Sequence, residues 1–343
     1  MTLVDAVALS FLPGLPPDDL QAALHDAHPE VQERAARHRG RAAEAIAVAA
    51  ARGITVVAWG APEYPAPLAA IPDPPPVLWV YGVVDALARP AVAIVGSRAA
   101  SAYALEVAES LAADLAACGI TIVSGLARGV DSAAHRGALV GGGRTVAVLG
   151  SGVDRIYPPE HRRLADQIAA AHGAVASELA PGAAPLAWHF PRRNRIIAGL
   201  SLAVVVVEAS EQSGSLITAH CALDQGREVM AVPGNVLSGR NRGSHALLKD
   251  GAKIVERADD ILAELGLPTP GGAQDTGGTD RTGQTSDPVL ARMGQGEDHD
   301  LDGLSALTGL APRDLLPRLL ALELAGQVRR TGAGRFVRAS ATC

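Results

Sequence analysis

The sequence of 343 residues predicts an α/β fold: a Rossmann-like, doubly wound and mostly parallel sheet, preceded by a small helical domain and followed by a winged-helix domain. Three observations carry this. Six apolar runs rich in Val and Ala recur between Ala91 and Gly234. Helix-like segments long enough for the crossover between parallel strands separate them. Four of the six end in glycine, as they would if the backbone turned sharply or met a phosphate there.

In chain order, residues 1–52 are Ala-rich and helical in pattern. Leu12-Pro13-Gly14-Leu15-Pro16 reads as a turn between helices, and Pro17-Asp18-Asp19-Leu20 opens a helix with acids in its first turn, where the macrodipole favours them. A packing or partner-binding module and a grip on nucleic-acid backbone are both open to such a domain. Residues 53–265 form the core, with a lead-in over 53–90. Strand-like pieces, Ile54 to Trp59 and Val77 to Tyr81, flank its proline-rich stretch Pro72 to Pro76 and bring it to the main sheet. The six runs follow as AVAIVG from Ala91, ITIVSG from Ile120, TVAVLG from Thr145, AVASEL from Ala174, LAVVVVEA from Leu202 and EVMAVPG from Glu228. Residues 266–287 are nearly devoid of apolar side chains and rich in Gly, Thr and Pro, which is the composition of a flexible linker. Residues 288–343 run helix, turn, helix from Asp314 to Leu324, then a hairpin, the winged-helix order. Arg329, Arg330, Arg335 and Arg338 make the hairpin basic, but the second helix carries Pro317 and few polar readers, so DNA contact and protein contact stand level.

Composition narrows the class. With 48% hydrophobic and 3% aromatic residues, the core is built of Ala, Val, Leu and Ile. Cys118, Cys221 and Cys343 are an odd set without C-x-x-C spacing, which argues against a disulfide framework and a structural zinc site. No basic stretch leads into an apolar core at the N-terminus, and no apolar run reaches the roughly 18 residues of a membrane span. A soluble, cytoplasmic protein without membrane contact is expected. The net charge of -6 sits awkwardly with nucleic acid, yet between Arg89 and Glu264 there are 17 Lys and Arg against 17 Asp and Glu. Its acids fall in helical stretches and many arginines in loops after strands, so a neutral domain can present one positive edge.

The loops carry the chemistry. Ligands of an open parallel sheet bind outside the carboxyl ends of its strands. The first strand ends in Gly96-Ser97-Arg98, which lacks the G-x-G-x-x-G fingerprint for a dinucleotide. Gly96 permits the turn, Ser97 can bond a phosphate and Arg98 can fork onto one with two parallel bonds. The second loop brings Gly125 and Arg128, and its Asp131 and His135 read as a helix N-cap and a structural histidine rather than metal ligands. Tyr157, after the third strand, is either a base platform or a packed ring. His189 to Ala219 is the organising stretch. It sets Phe190, Arg192, Arg193 and Arg195 just ahead of a short helix, then a buried strand, then the Ser213-Gly214-Ser215 turn whose amides face a ligand. Ser213 or Ser215 with His220 as base does not match a nucleophile elbow, and His189, His220 and His245 lack metal spacing. Cys221 reads as buried. Neither a catalytic set nor a cofactor is expected.

Several motifs together resemble one family. Gly96-Ser97-Arg98, SGLARGVDSAAH from Ser124, YPPEH from Tyr157, FPRRNRIIAGLS from Phe190, GSLITA from Gly214, VPGN from Val232 and GSHALLKDGA from Gly243 are similar, in this order, to the bacterial DNA-processing protein A family, DprA or Smf. The resemblance spans about Ile54 to Leu265. It implies a core that binds single-stranded DNA, forms homodimers and hands incoming DNA to the recombinase RecA during natural transformation, with single-strand-binding protein as a further partner. No enzymatic activity is implied. The family's DNA-contacting arginine falls on Arg98, and its segment adjoining the DNA pocket falls on Phe190 to Arg195. The expected binding set is therefore Gly96, Ser97, Arg98, Gly125, Arg128, Tyr157, Phe190, Arg192, Arg193, Asn194, Arg195, Ser213, Gly214 and Ser215. Arginines neutralise phosphates and Phe190 stacks a base in a pocket too narrow for a duplex.

Two other classes remain open. A nucleotide enzyme of the lysine-decarboxylase-like phosphoribohydrolase type needs a P-G-G-x-G-T loop with a working glutamate, where this chain has Ser213-Gly-Ser-Leu-Ile-Thr218. A DNA-free adaptor needs none of the arginines that the loops retain.

Overall fold

Helices too short to enclose a core of their own open the chain. In the computed structural model, which describes residues 1–12, 14–25, 27–268, 287–294, 297–325, 327–331 and 335–338, these are α1 (Leu3–Ser10), α2 (Pro17–Leu24), α3 (Pro29–Ala36) and α4 (Arg39–Ala51). Thr2 caps α1, its hydroxyl accepting from the Asp5 amide at 3.2 Å. The apolar faces of the four helices, Val7, Leu9, Leu24 and Val31 among them, join one cluster with Ile54, Val77 and the fully buried Trp79 of the sheet. Residues 1–52 thus share a core with the first strands of the sheet, and Met1–Gly272 forms one compact unit, Ala273–Cys343 another.

The lead-in supplies β1 (Ile54–Ala58), the short α5 (Ala66–Ala69) and β2 (Val77–Gly82). The two strands pair antiparallel, and β2 goes on to pair antiparallel with a core strand. The core alternates as β3 (Ala91–Val95), α6 (Ala102–Ala117), β4 (Thr121–Ser124), α7 (Val130–Val140), β5 (Thr145–Val148), α8 (Arg162–Ala170), β6 (Ala174–Ser177), α9 (His189–Gly199), β7 (Ala203–Val206), α10 (Ser215–Asp224) and β8 (Glu228–Ala231). It continues through α11 (Arg242–Lys249), β9 (Lys253–Ile254) and α12 (Ala258–Glu264). The sheet order is β1-β2-β6-β5-β4-β3-β7-β8-β9, parallel from β6 to β9.

Burial on both faces explains the unbroken apolar runs. Along β3, Val92 and Ile94 pack with α6, α7 and α12, while Ala93 and Val95 pack with α9, α10 and α11. Burial of one such Val or Ile side chain contributes about 1.5–3 kcal/mol, which favours this strand in the middle of the sheet.

Two details differ from expectation. The cluster Phe190 to Arg195 lies within α9, not ahead of it, because Pro191 falls in the first helical turn, where an amide donor has no partner to lose. The strand-end glycines serve side chains rather than turns. A Cβ on Gly125 would strike the Arg193 guanidinium, and one on Gly150 would strike the Phe190 ring. None of Gly96, Gly125, Gly150 and Gly234 has a positive φ.

The second unit holds β10 (Asp298–His299), α13 (Leu301–Thr308), α14 (Pro312–Leu324), β11 (Val328–Thr331) and β12 (Arg335–Arg338), with sheet order β10-β12-β11. Leu304, Leu315, Leu319, Val328 and Phe336 form its core. Its helix α14 starts at Pro312, two residues before the expected Asp314, with the proline in the favoured first position. Three hairpin arginines are turned to the unit's own atoms. Arg330 lies over Phe336, Arg335 pairs with Asp298 at 3.2 Å, and Arg338 donates to the Leu290 carbonyl at 3.1 Å. The exposed face of α14 carries Leu316 and Leu320. Residues 269–286, which hold most of the expected linker, and the Gly-Ala-Gly tip at 332–334 lie outside the described residues.

Candidate nucleic-acid interface

From β3 the chain winds through β4 and β5 to β6 on one side, then returns to place β7 on the other. The crevice of a doubly wound sheet opens at such a switch point. Here it lies between the loop after β3 and the loop after β7, and a cavity of about 650 Å³ occupies it. Glu208, two residues beyond β7 and buried, ties the two loops together. Its carbonyl accepts from the Ser97 amide at 2.7 Å, and its carboxylate accepts from the Ser101 hydroxyl at 2.6 Å and the Ser101 amide at 3.1 Å.

This bond corrects one expectation. The Ser97 amide is engaged by Glu208 and the Ser213 amide by the Ser210 carbonyl at 3.0 Å, so neither is available to a ligand. Their side chains remain at the cavity wall. The hydroxyls of Ser213 and Ser215 bond each other at 2.7 Å. Asn194 reaches across from α9 to the Gly214 carbonyl at 3.4 Å.

Arg98 is exposed and forms no ion pair among the described residues. Its guanidinium stands 5.7 Å from the centre of the Phe190 ring. Phe190 in turn lies 5.5 Å from Tyr157, which is 41% exposed. An exposed cation over one ring, with a second ring beside it, can meet a phosphate and an unstacked base together.

Arg193 forms the floor. It is buried, and its Nη1 donates to the Gly125 carbonyl at 2.8 Å and to the Val148 carbonyl, anchoring α9 to the ends of β4 and β5. Burial pushes its pKa down to about 10, with Asp131 opposing that shift and Arg98 adding to it. It therefore stays charged at neutral pH. Asp131 is not the N-cap of α7. Gly129 holds that position, and the Asp131 carboxylate folds back to accept from the Gly125 amide at 3.1 Å and the Ala127 amide at 3.3 Å. Burial raises its pKa, while Arg193 and the two amides pull the other way.

His135 is a structural residue, buried in α7 with its Nδ1 at 2.7 Å from the Thr145 hydroxyl. Burial pushes its pKa from 6.5 to about 3. The unfolded chain then binds a proton that the folded one excludes between these limits. This contribution is fully present above pH 6.5 and is lost as pH falls toward 3, at up to about 1.4 kcal/mol per pH unit. Urea titrations over this range should show a shallower acid loss for His135→Gln than for the parent.

Gly96, Ser97, Arg98, Tyr157, Phe190, Arg193, Asn194, Ser213, Gly214 and Ser215 line the cavity; Gly125, Arg128, Arg192 and Arg195 do not. Gly125 lies behind the Arg193 guanidinium. Arg128 pairs with Glu160 at 2.6 Å on the surface. Arg195 is buried against Glu178, with contacts of 2.9 and 3.1 Å, and donates to Asp73 at 2.7 Å. Burial works against its charge, but Glu178 and Asp73 outweigh it and hold the guanidinium above its ordinary pKa. Half-exposed Arg192 adds a contact of 3.3 Å to the same Glu178. Helical geometry separates the cluster: Phe190, Arg193 and Asn194 face the cavity, and Arg192 and Arg195 face Glu178, the residue after β6.

Sequence reasoning missed Glu208, the carboxylate of Asp131 in the cavity wall, and Trp188. Trp188 is 60% exposed at the start of α9, with its ring 4.0 Å from His189. Its signal was an aromatic residue immediately before the basic cluster. Cys221 was expected to be buried and is only partly so, since α10 presents it near the surface. No hydrogen bond joins Ser213 or Ser215 to His220 among the described residues, and His220 is exposed. Among the same residues no group of three His, Cys, Asp or Glu could hold a metal, and no helix is long and apolar enough to cross a membrane.

Comparison with known proteins agrees with this architecture. The profile of the DNA recombination-mediator protein A family matches residues 55–266, and that of the DprA winged helix domain matches 276–334. The DNA processing protein DprA of Streptococcus pneumoniae is 48% identical over 202 residues, covering 59% of this chain and 71% of that protein. Protein Smf of Escherichia coli is 41% identical over 286 residues, covering 82% and 76%. The X-ray structure of the pneumococcal protein superposes with a TM-score of 0.67 at 37% identity, covering 77% of this chain and 98% of the other. A structure of DNA processing protein A from Helicobacter pylori, concerned with that protein's single-stranded DNA binding mode, gives 0.56 at 28% identity, covering 62% and 95%. A matching profile over most of the core, two relatives above 40% identity and the shared architecture lead to one conclusion: the chain belongs to the DNA recombination-mediator protein A family.

Proposed function

We propose that the cavity at the switch point binds the backbone of single-stranded DNA. The observation that carries this reading is Arg98, an exposed guanidinium without an ion-pair partner among the described residues, poised over Phe190 at the cavity mouth. The single-strand binding of the Helicobacter pylori relative supports it. Arg98 forks onto one phosphate while Phe190 and Tyr157 offer ring faces to the adjoining base, a contact of about 1–3 kcal/mol that every base can make. The hydroxyls of Ser213 and Ser215, at the start of α10, face the sugar or the next phosphate. A duplex keeps its bases stacked inside and cannot present one to a ring in the cavity, so single strands are preferred.

In this reading the protein protects incoming single strands and loads RecA onto them, and a homodimer sets two cavities on one strand, raising affinity through effective concentration. The similarity to DprA and Smf proteins supports that role. The chain is a binding protein rather than an enzyme and works without a cofactor in the cytoplasm.

The test is fluorescence anisotropy of a labelled oligonucleotide across a salt series with duplex competitor. Tight single-strand binding that weakens steeply with salt is expected; indifference to single strands at low salt refutes the reading. Trp188 gives a second readout. Trp79 is fully buried and Trp59 partly so, whereas Trp188 stands exposed beside the cavity-lining Ala187. Titration with an unlabelled oligonucleotide should quench tryptophan emission, and Trp188→Phe should remove most of the quench. For the loading step, addition of the chain should speed RecA assembly on strands already coated with single-strand-binding protein.

A further inference from the structure

A second cavity of about 490 Å³ lies beside the first. Tyr157 and Pro185 line both, so the two hollows share a wall. The second is basic: Arg52, Arg155 and Arg162 meet a single carboxylate, Asp154, for a formal balance of +2 (3 − 1). Asp154 organises it. One of its carboxylate oxygens accepts from the Gly182 amide at 2.7 Å, the other takes Arg52, and its carbonyl accepts from Arg162 at 2.9 Å.

Arg155 is left over. It is exposed and forms no ion pair among the described residues, yet its backbone is fixed. Its amide donates to the Gly152 carbonyl at 2.8 Å, and its carbonyl accepts from the Ser151 hydroxyl at 2.7 Å. A side chain projecting from so fixed a turn, beside two arginines already held by Asp154, suits an anion. The shared wall lets one extended ligand reach both hollows. A ligand with a phosphate at each step along its length meets both requirements; a lone mononucleotide meets only one.

We propose that the second cavity is a second phosphate subsite for the same single strand, reached over the Tyr157 and Pro185 wall, with Arg155 as the contact and Asp154 as a positioning residue. This rests on the reading of the first cavity. It also gives the N-terminal helices a part in binding, because Arg52 caps the C-terminal end of α4.

The experiment is a length series of oligothymidylates, from about 4 to about 16 nucleotides, titrated against the full chain, Arg155→Ala and Arg155→Lys, with melting curves to confirm folding. Parent affinity should step up once the strand is long enough to enter the second cavity. Arg155→Ala should lose that step, binding long strands roughly tenfold more weakly with a log–log salt slope smaller by about 0.7, and match the parent on the shortest strands. Arg155→Lys should restore the slope. Superposable curves for the parent and Arg155→Ala at every length overturn the proposal and leave the first cavity's reading intact. Failure of the parent to bind any length overturns both.

Discussion

Arg98→Ala should weaken single-strand binding by about 2–4 kcal/mol, roughly 30- to 1000-fold, the loss of two charge-assisted hydrogen bonds to one phosphate. The size follows from how little else holds Arg98. It forms no close ion pair among the described residues, the buried Asp131 carboxylate attracting it only from a distance, and its contact with the Phe190 ring, at 5.7 Å from the centroid, needs no breaking when a phosphate arrives. The log–log salt slope should fall by about 0.7, the share of one phosphate contact on a single strand. Stability should change little, since the side chain is exposed. Arg98→Lys separates charge from geometry: an ammonium restores the salt slope, but without the planar fork it recovers only part of the affinity. Anisotropy titrations at several salt concentrations check the affinity, the slope and the lysine variant, a melting curve checks the stability, and an Arg98→Ala protein that binds like the parent would remove the centre of the reading.

The second large effect concerns folding. Glu178→Ala should cost about 3–5 kcal/mol, because it strips the buried Arg195 of its two-pronged partner and leaves a charge in the interior. Asp73 still reaches Arg195 at 2.7 Å, which places the expectation at the lower end. At about 2–4 °C per kcal/mol for a unit of this size, the melting point should drop by roughly 6–12 °C. The double variant Glu178→Leu with Arg195→Met removes both charges and should recover much of the loss, since well-packed apolar pairs often match buried ion pairs. Differential scanning calorimetry reads both variants. A Glu178→Ala protein that melts with the parent would show that the α9 anchor lies elsewhere, with Arg193.

These two arginines show where sequence reading reaches its limit. Arg98 was legible because the apolar run before it set its place: a residue just past a buried parallel strand lies at the carboxyl edge, where ligands bind. Arg192, Arg193 and Arg195 looked alike as one basic cluster. Residues one or two apart on a helix point in different directions, so α9 divides them: Arg193 on the cavity floor, and Arg192 and Arg195 on Glu178. Arg128 was likewise grouped with the loop cations, and a surface pairing with Glu160, 32 residues away in the chain, engages it. The glycines at the strand ends were read as sharp turns or phosphate contacts; none has a positive φ, and the space beside Gly125 and Gly150 is filled by side chains of α9.

What the amino-acid order determined by itself is whatever depends on neighbours in the chain. Apolar runs of strand length, the helices between them, the glycine and serine loops and the family motifs specify a doubly wound sheet and mark its working edge. Tertiary structure alone decided which polar groups are still free to meet a ligand. Glu208 consumes the Ser97 amide, Asp131 consumes two amides of the next loop, and Asp154 gathers Arg52 and Arg162 while leaving Arg155 open. The reason is physical: a charge or an amide near the interior must find a partner, and that partner is chosen by distance in space between residues that the sequence sets far apart.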